Sequence, residues 1–238
     1  YTTCPICVPA RCTIMSGLEP WSHGMFGNKR SVDHLDDRTT LPARLHTLGY
    51  QTMGIGKMHF TPLRARHGFD EILLAADYYH EMRDRGLSTP PNRHGLGQNE
   101  FYPTLATVPE PLTLTNWIAE QSAHFITQRR DPTRPFFLWC SFGKPHPPFD
   151  PPEPYYSMYR HLPTLGERVT PDWSAAHEAP EQFRRLRVGQ NTDLYPPELW
   201  HDIRAAYFGL ITQIYYNLGR VLAALREAEV LDNTLIVF

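Results

Sequence analysis

The apolar run FFLWCSF, residues 136–142, most constrains what this chain can fold into. Seven apolar or small residues in succession predict a strand covered on both faces, as in the centre of a parallel sheet. The run ends at GKPHPPFDPPEP, residues 143–154, whose six prolines rule out regular structure. A buried strand therefore delivers Lys144 and His146 into a loop at its carboxyl end.

A second buried strand is predicted at residues 50–56, after a short amphipathic helix, and it leads directly into Lys57 and His59. Thr40 is the expected cap of that helix, and Gly49 can supply its left-handed stop. Taken singly, the lysine would be read as a surface residue and the histidine as a core residue. Their adjacency at the end of a strand favours a functional site instead.

Helices alternate with strands along the chain. Further helices are predicted at about residues 115–129 and 202–229, and TLIVF at residues 234–238 reads as a last strand. This order predicts an α/β fold with a doubly wound, mostly parallel sheet flanked by helices, whose sites gather at the carboxyl ends of the strands. Residues 60–110 and 150–200 lack clean periodicity and are expected to be long excursions that shape a substrate cleft.

The totals fit one α/β domain. With 238 residues, 41% apolar and 20% charged, the chain has the composition of a globular protein. No apolar run approaches the roughly 18 residues of a membrane span, and a formal charge of -2 argues against a nucleic-acid footprint. We expect residues 1–238 to be part of an N-terminal catalytic domain, truncated at both ends, because the chain opens without methionine and stops inside an apolar run.

The segment CPICVPARCTIMSG, residues 4–17, places Cys7 at or just before the start of a predicted helix. Pro9 suits the first helical position, and Gly17 suits the stop. Backbone N–H groups and the positive dipole at a helix N-terminus favour an anion. Arg11, one turn on, adds a planar cation suited to a tetrahedral oxyanion. These residues describe a nucleophile beside an anion pocket.

The residue types alone leave two other interpretations of the cysteines open. Cys4, Cys7 and Cys12 could hold zinc or an iron–sulfur cluster with Cys140 as the fourth ligand, although a second CxxC pair is absent. The cysteines could equally be buried and inert. Four cysteines in a chain of this length are too few for a disulfide-dense scaffold, so they leave the cellular compartment open.

Several blocks of the chain resemble the formylglycine-dependent sulfatases of the alkaline phosphatase superfamily. Residues 7–11, CVPAR, followed by Met-Ser-Gly at residues 15–17, resemble the family signature Cys-x-Pro-x-Arg and its later Thr-Gly, with serine in place of threonine. The block LPARLHTLGYQTMGIGKMHF is similar to the helix, strand and Gly-Lys-x-His block of the family. The other blocks that agree, in the same order, are residues 67–72, 135–155 and 219–238.

This resemblance implies an arylsulfatase-like sulfuric ester hydrolase in which Cys7 is oxidised to formylglycine and hydrated to a diol. One hydroxyl would attack sulfur, and the other would allow the sulfated intermediate to break down. By the same resemblance, Arg11 steadies the diol and Lys57 contacts a sulfate oxygen. His59 would hydrogen-bond the diol, and His146 would act as general acid toward the leaving alcohol.

The resemblance also implies a divalent cation, in the family usually Ca2+, with the formylglycine at Cys7 as one ligand. The carboxylate ligands would precede the signature and follow the last strand, outside this sequence. Asp36-Asp37 and Asp232-Asn233 are read as turns. Lys144 has two open interpretations, a contact to sulfate or substrate and a solvated loop lysine.

The implied partners are a small-molecule or sugar sulfate ester and a formylglycine-generating or other sulfatase-maturing enzyme, with no nucleic acid and no membrane span. A phosphonate or phosphate ester hydrolase of the same superfamily would use the same residues and is the alternative. Arg64, Arg66, His67 and the tyrosines near Tyr78 are open to two interpretations, a pocket for an anionic sugar and an ordinary solvated loop. Export is common in the family, and these residues leave the compartment open.

Overall fold

The computed structural model describes residues 2–28, 35, 39–87, 94–165, 181, 184, 185, 189 and 191–238. The chain divides into two compact units. Unit 1 comprises Tyr1–Gly86, Asn116–Gly143 and Leu218–Phe238, and unit 2 comprises Leu87–Thr115 and Lys144–Asn217. A single partial catalytic domain over residues 1–238 stays a prediction.

A parallel sheet of three strands forms the centre of unit 1. Strand β1, Gln51–Gly56, lies between β2, Glu71–Leu73, and β3, Phe136–Ser141. Both neighbours run parallel to β1, and the register sets Gly56 opposite Ser141. The predicted α/β fold with a parallel sheet flanked by helices is confirmed, and β1 and β3 end side by side.

Seven α-helices accompany the strands in the described part of the chain. They are α1 Cys7–Ser16, α2 Pro20–His23, α3 Leu41–Thr47, α4 Ala75–Asp84, α5 Leu114–His124, α6 Tyr155–Met158 and α7 Pro197–Glu227. The last turn after α5 widens into a π-helix at Phe125–Arg129. Short 3-10 helices lie at Glu110–Leu112, Thr192–Leu194 and Leu231–Asn233. None of the described helices combines the length and the apolarity needed to cross a membrane.

Helix α3 and strand β1 follow from local sequence signals. The Thr40 hydroxyl accepts a hydrogen bond from the Ala43 amide at 3.3 Å, which satisfies a first-turn donor. Pro42 lies in the first turn, and Gly49 takes a left-handed conformation with φ 89°. The predicted helix between Thr40 and Tyr50 is confirmed, and it leads straight into β1.

Helix α1 packs its buried side on a sulfur-rich and aromatic cluster of unit 1. Cys12 and Met15 are almost inaccessible to solvent, as are Met53 and Ile55 of β1. The cluster around Cys12 and Met15 also contains Met25, Leu35, Met58, Phe60, Phe69, Ile72 and Leu74. Burial of these apolar side chains stabilises the position of α1 in unit 1 by the hydrophobic effect.

The structure departs from the sequence interpretation in three places. Residues 136–140 of β3 are half-buried, and only Ser141 is buried, so the strand is less covered than its composition suggests. The long helix begins at Pro197 rather than near Asp202. Residues 234–238 form no strand, since no described strand offers them backbone partners, and Phe238 is fully exposed.

The two predicted acidic turns have different outcomes. Asp36-Asp37 lies outside the described residues. Asp232 and Asn233 lie in the 3-10 helix that follows α7, which confirms the predicted turn.

Unit 2 has an apolar cluster of its own. Phe149 packs with Ile203, Ala206 and Leu210 of α7. The Phe149 amide donates to the carbonyl of Tyr102 at 3.2 Å, and its carbonyl accepts from the Thr104 amide at 2.9 Å. These bonds tie the middle of the proline-rich loop to Tyr102 and Thr104.

We predict that Gly68→Ala destabilises the fold far more than Gly24→Ala. Both glycines have left-handed backbones, with φ 89° and 75°, but a Cβ at residue 68 would lie 2.4 Å from the Ala43 nitrogen, whereas residue 24 faces open space. Backbone strain costs about 1–2 kcal/mol at either site, and overpacking adds about 1–3 kcal/mol at residue 68. Urea unfolding of the full-length protein measures both losses, and equal losses would contradict the close approach.

Candidate active site

Cys7 is the first residue of α1. Ile6, just before it, has an extended backbone with φ -122° and ψ 144°, and the helix ends at Gly17 in the left-handed region with φ 70°. Pro9 was predicted to be the first helical residue, but it is the third. Amides at both positions lack an acceptor within the helix, so proline is tolerated at either. The predicted location of Cys7 at the helix start and the stop at Gly17 are confirmed.

The first turn of α1 offers fewer free amides than the sequence suggests. The Val8 amide donates to the side-chain oxygen of Asn28 at 3.0 Å, and Pro9 has no N–H. The positive end of the helix dipole still faces Cys7. Most of the attraction for an anion beside this residue must nevertheless come from cationic side chains.

Lys57 supplies a cation next to Cys7. Its Nζ lies 3.7 Å from the Cys7 Sγ, although the two residues are 50 positions apart in the chain. Lys57 directly follows the last residue of β1, and its amide donates to the Ser141 carbonyl at 2.8 Å. The structure thus brings the lysine predicted at the end of a strand to the cysteine predicted at the start of a helix.

Arg11 connects α1 to the ends of two strands. Its Nη1 donates to the Lys57 carbonyl at 2.5 Å and to the Ser141 hydroxyl at 2.9 Å. Burial lowers the pKa of Arg11, and the charge on Cys7 opposes that shift. The guanidinium remains a cation at neutral pH, and these two acceptors offset the cost of its burial. Arg11, one helical turn after Cys7, is thus held by hydrogen bonds to residues at the ends of β1 and β3.

Ser141 is a site residue that the sequence interpretation missed. Its hydroxyl holds Arg11, and its carbonyl receives the Lys57 amide. The available signal was a small polar residue at the end of the buried run of β3. Gly56 allows this arrangement, because a Cβ at its position would lie 2.0 Å from the Ser141 oxygen.

His59 lies on the loop that carries Lys57, two residues further on. Its side chain is exposed, and its backbone is left-handed with φ 61°, which is uncommon for a residue other than glycine. Such conformations occur most often in turns and at functional sites. The structure therefore places His59 at the rim of the loop rather than in the core.

Lys144 and His146 belong to unit 2, in the loop after β3. Lys144 is bound to the carboxylate of Asp150 and donates to the Pro148 carbonyl at 2.7 Å. The Nδ1 of His146 donates to the Pro147 carbonyl at 2.8 Å, because a carbonyl can only accept. Nδ1 therefore carries a proton in this arrangement.

The comparison with protein families decides what kind of chain this is. A family model described as Sulfatase matches residues 1–238. The chain belongs to the sulfatase family. An arylsulfatase from Clostridium perfringens (strain 13 / Type A) is 32% identical to this sulfatase-family chain, over 100% of the chain and 53% of the relative. A choline-sulfatase from Rhizobium meliloti (strain 1021) is 27% identical, over 100% of this chain and 48% of the relative.

This sulfatase-family chain spans about half the length of the curated relatives it matches. Among solved structures it is similar to the phosphonate monoester hydrolase SpPMH from Silicibacter pomeroyi. The TM-score is 0.72 at 21% identity, over 99% of this chain and 53% of that one. At this identity the likeness concerns the fold, and it agrees with the parallel sheet of unit 1.

The other cysteines of the sulfatase-family chain lie in different surroundings. Cys12 is buried against Met25, and burial raises the pKa of its thiol to about 11. Burial also raises the pKa of Cys140, although a hydrogen bond from Ser122 opposes this. Cys4 is only partly buried, and all four cysteines are free.

The arrangement of the cysteines does not support a zinc or iron–sulfur site. Cys12 contacts Met25, and Cys140 receives a hydrogen bond from Ser122. Within the described ranges, no group of three or more His, Cys, Asp or Glu side chains is placed to hold a metal ion.

The loop near Arg64 is partly solvated and partly core. Arg64 is exposed and pairs with Asp77, with 2.6 Å between Nη2 and Oδ1. Arg66 donates to the Asp70 carbonyl at 2.5 Å. Tyr78 and His67 are buried, and Tyr78 packs edge-on against Trp117. The solvated interpretation therefore holds for the arginines, and the tyrosine is a core residue.

We predict that iodoacetamide at pH 8 alkylates Cys4 in the native protein and leaves Cys12 unmodified. A thiol with a pKa of about 11 is only about one part in a thousand ionised at that pH, and this side chain is 1% exposed. Peptide mass spectrometry measures both sites. In urea, both should react, and native reaction of Cys12 at the rate of Cys4 would contradict the buried environment.

Proposed function

We propose that the full-length protein hydrolyses sulfate esters and that Cys7 is the precursor of its nucleophile. The observation that carries this proposal is the contact of Lys57 with Cys7 at the start of α1, in a chain matched along its whole length by the sulfatase family. We further infer that residues 1–238 form part of the catalytic domain. The whole-protein activity is a proposal, because the chain spans about half of its relatives.

The surroundings of Cys7 fit its conversion to formylglycine. The side chain is only partly buried, lies at the positive end of a helix and has an ammonium group 3.7 Å away. As the hydrate, position 7 would supply one hydroxyl to attack sulfur and a second to release sulfate and restore the aldehyde. A sulfatase-maturing enzyme is the partner that this modification needs.

Lys57 and Arg11 would stabilise negative charge at different atoms. Lys57, with its ammonium beside position 7, would contact a sulfate oxygen and offset the negative charge that builds up as the nucleophile approaches. Arg11 would act through a guanidinium that is already bound to the Lys57 carbonyl and the Ser141 hydroxyl. It would steady the side chain at position 7 and stabilise negative charge on its oxygen without moving during the reaction.

The two histidines would move protons. His59, exposed on the Lys57 loop, is assigned the hydrogen bond to the nucleophile and the removal of its proton. His146 has Nδ1 bound to the Pro147 carbonyl, so the imidazolium form would deliver the Nε2 proton to the alkoxide as the S–O bond breaks. The leaving group then departs as a neutral alcohol.

A divalent cation, Ca2+ by family resemblance, would polarise the sulfate when bound. The described residues do not fit it by themselves, because they contain no group of three or more potential side-chain ligands. Position 7 would provide one oxygen, and the carboxylates would have to come from elsewhere in the protein. The roles of Lys57, Arg11 and His146 do not depend on that ion.

The ester itself is proposed only by class. The relatives are named for aryl sulfates and choline sulfate, so we propose a small-molecule or sugar sulfate ester. A phosphonate ester is the second candidate, since Lys57 and Arg11 would meet any tetrahedral oxyanion of similar size.

We predict that the full-length protein, made with a sulfatase-maturing enzyme, hydrolyses an aryl sulfate with a higher kcat/KM than the matching aryl phosphonate. We expect Cys7→Ala to lower sulfate hydrolysis by at least about 10³-fold, because covalent catalysis is lost. A preference for the phosphonate would replace the first candidate with the second.

Mass spectrometry of the peptide containing Cys7 supplies the control for that assay. Residue 7 should carry an aldehyde, while Cys4 in the same peptide stays a thiol. Active protein with an intact thiol at both positions would refute the proposed nucleophile.

We predict that Lys57→Ala lowers kcat/KM for the aryl sulfate by about 10²- to 10³-fold, the usual effect of removing one donor to a developing oxyanion. The matched control is Arg83→Ala, which removes an exposed cation of α4. It should leave kcat/KM within about 2-fold, as surface substitutions away from a site do. Equal effects of the two substitutions would show that Lys57 contributes only general positive charge.

A further inference from the structure

Asp150 is a largely buried carboxylate that connects Lys144 of the proline-rich loop to His94 in unit 2. Its Oδ1 accepts from the ammonium of Lys144, and its Oδ2 lies 3.2 Å from the His94 Nε2. The side chains of Asp150 and His94 are only 12% and 6% exposed. A carboxylate with so little access to solvent requires partners, since an unpaired buried charge strongly destabilises a fold.

The three donors of the Lys144 ammonium are directed into its own loop. One binds Asp150, a second donates to the Pro148 carbonyl at 2.7 Å, and a third makes a longer contact of 3.5 Å to the His146 carbonyl. An ammonium has three N–H groups and no acceptor. With each N–H directed at an acceptor of the loop, Lys144 has no further donor for a substrate anion.

His94 holds the opposite side of the carboxylate in a fixed tautomer. The Leu96 amide donates to the His94 Nδ1 at 3.2 Å, so that nitrogen carries no proton. Nε2 therefore carries it and donates to Asp150. The ring is neutral in this arrangement, and Lys144 is the cation that balances the charge of the carboxylate.

The ammonium of Lys144 contacts the backbone at His146 and just after it. The carbonyls that the ammonium reaches are those of His146 itself and of Pro148, so the backbone is held at and beyond the histidine. Beyond Pro148, Phe149 is anchored by its two backbone bonds to residues 102 and 104. The backbone is thus held at His146 and over the three residues that follow it.

We propose that Lys144 is a positioning residue rather than a substrate ligand, and that Asp150 and His94 hold its ammonium on the carbonyls around His146. This inference rests on the proposed function, in which His146 delivers a proton to the leaving alcohol. It replaces the expectation of a sulfate-binding Lys144 with a structural cation. Asp150 and His94, which lie 56 positions apart, become residues on which catalysis depends without touching the ester.

A double-mutant cycle in the full-length protein tests the inference. Lys144→Met and Asp150→Asn should each lower kcat for an aryl sulfate by about 10- to 100-fold, since a catalytic group displaced by about 1 Å loses up to that much. KM should stay within about 2-fold. The double variant should be no slower than the slower single variant, because both substitutions break one arrangement.

A substrate-binding lysine would give the opposite result. Lys144→Met would then raise KM at nearly constant kcat, Asp150→Asn would leave KM unchanged, and the effects of the two would multiply. The matched control is Asp202→Asn, because Asp202 also meets a cation, Arg160, and a histidine, His201, in unit 2. It should leave kcat and KM within about 2-fold.

Variants of His94 extend the test if a charged variant fails to fold. His94→Gln keeps an N–H donor for Asp150 and should retain more of kcat than His94→Leu, which has none. Equal losses would show that His94 only fills space. Thermal unfolding keeps this inference separate from the proposed function: the destabilisation by Lys144→Met and Asp150→Asn should be less than additive even if no ester is hydrolysed, and additive losses would overturn the inference.

Discussion

The hydrogen bonds of Arg11 to the Lys57 carbonyl and the Ser141 hydroxyl are the interaction on which the surroundings of Cys7 depend. A guanidinium held largely out of water requires acceptors, and the ends of β1 and β3 provide them. Cys7 lies one helical turn before Arg11. The bonds that satisfy the arginine therefore also hold the helix that carries Cys7 against the backbone of Lys57.

Features with a local cause could be predicted from the sequence. The cap at Thr40 and the stop at Gly49 place α3, and Gly17 ends α1, because each residue acts through its own backbone or that of a near neighbour. Pro9 was predicted two positions too early in the helix. A missing N–H is tolerated anywhere in the first turn, so proline indicates that a helix begins without giving its register.

Features whose partners lie far apart in the chain could not be predicted in the same way. Ser141 meets a guanidinium 130 positions away, and Asp150 meets a histidine 56 positions away. Nothing in their sequence neighbourhood distinguishes them from an ordinary strand end and an ordinary loop carboxylate. The two lysines show the same limit, since similar motifs place Lys57 beside Cys7 and direct Lys144 into its own loop.

The capping of α1 by Asn28 has a consequence for how any anion is held beside Cys7. Asn28 takes the Val8 amide and Pro9 offers none, so the anion depends on charged side chains rather than on a row of backbone dipoles. Mobile ions weaken such attraction at a partly exposed site, over a Debye length of about 8 Å at physiological ionic strength. The affinity of this position for an anion should therefore fall with added salt more steeply than in a phosphate loop lined by amides.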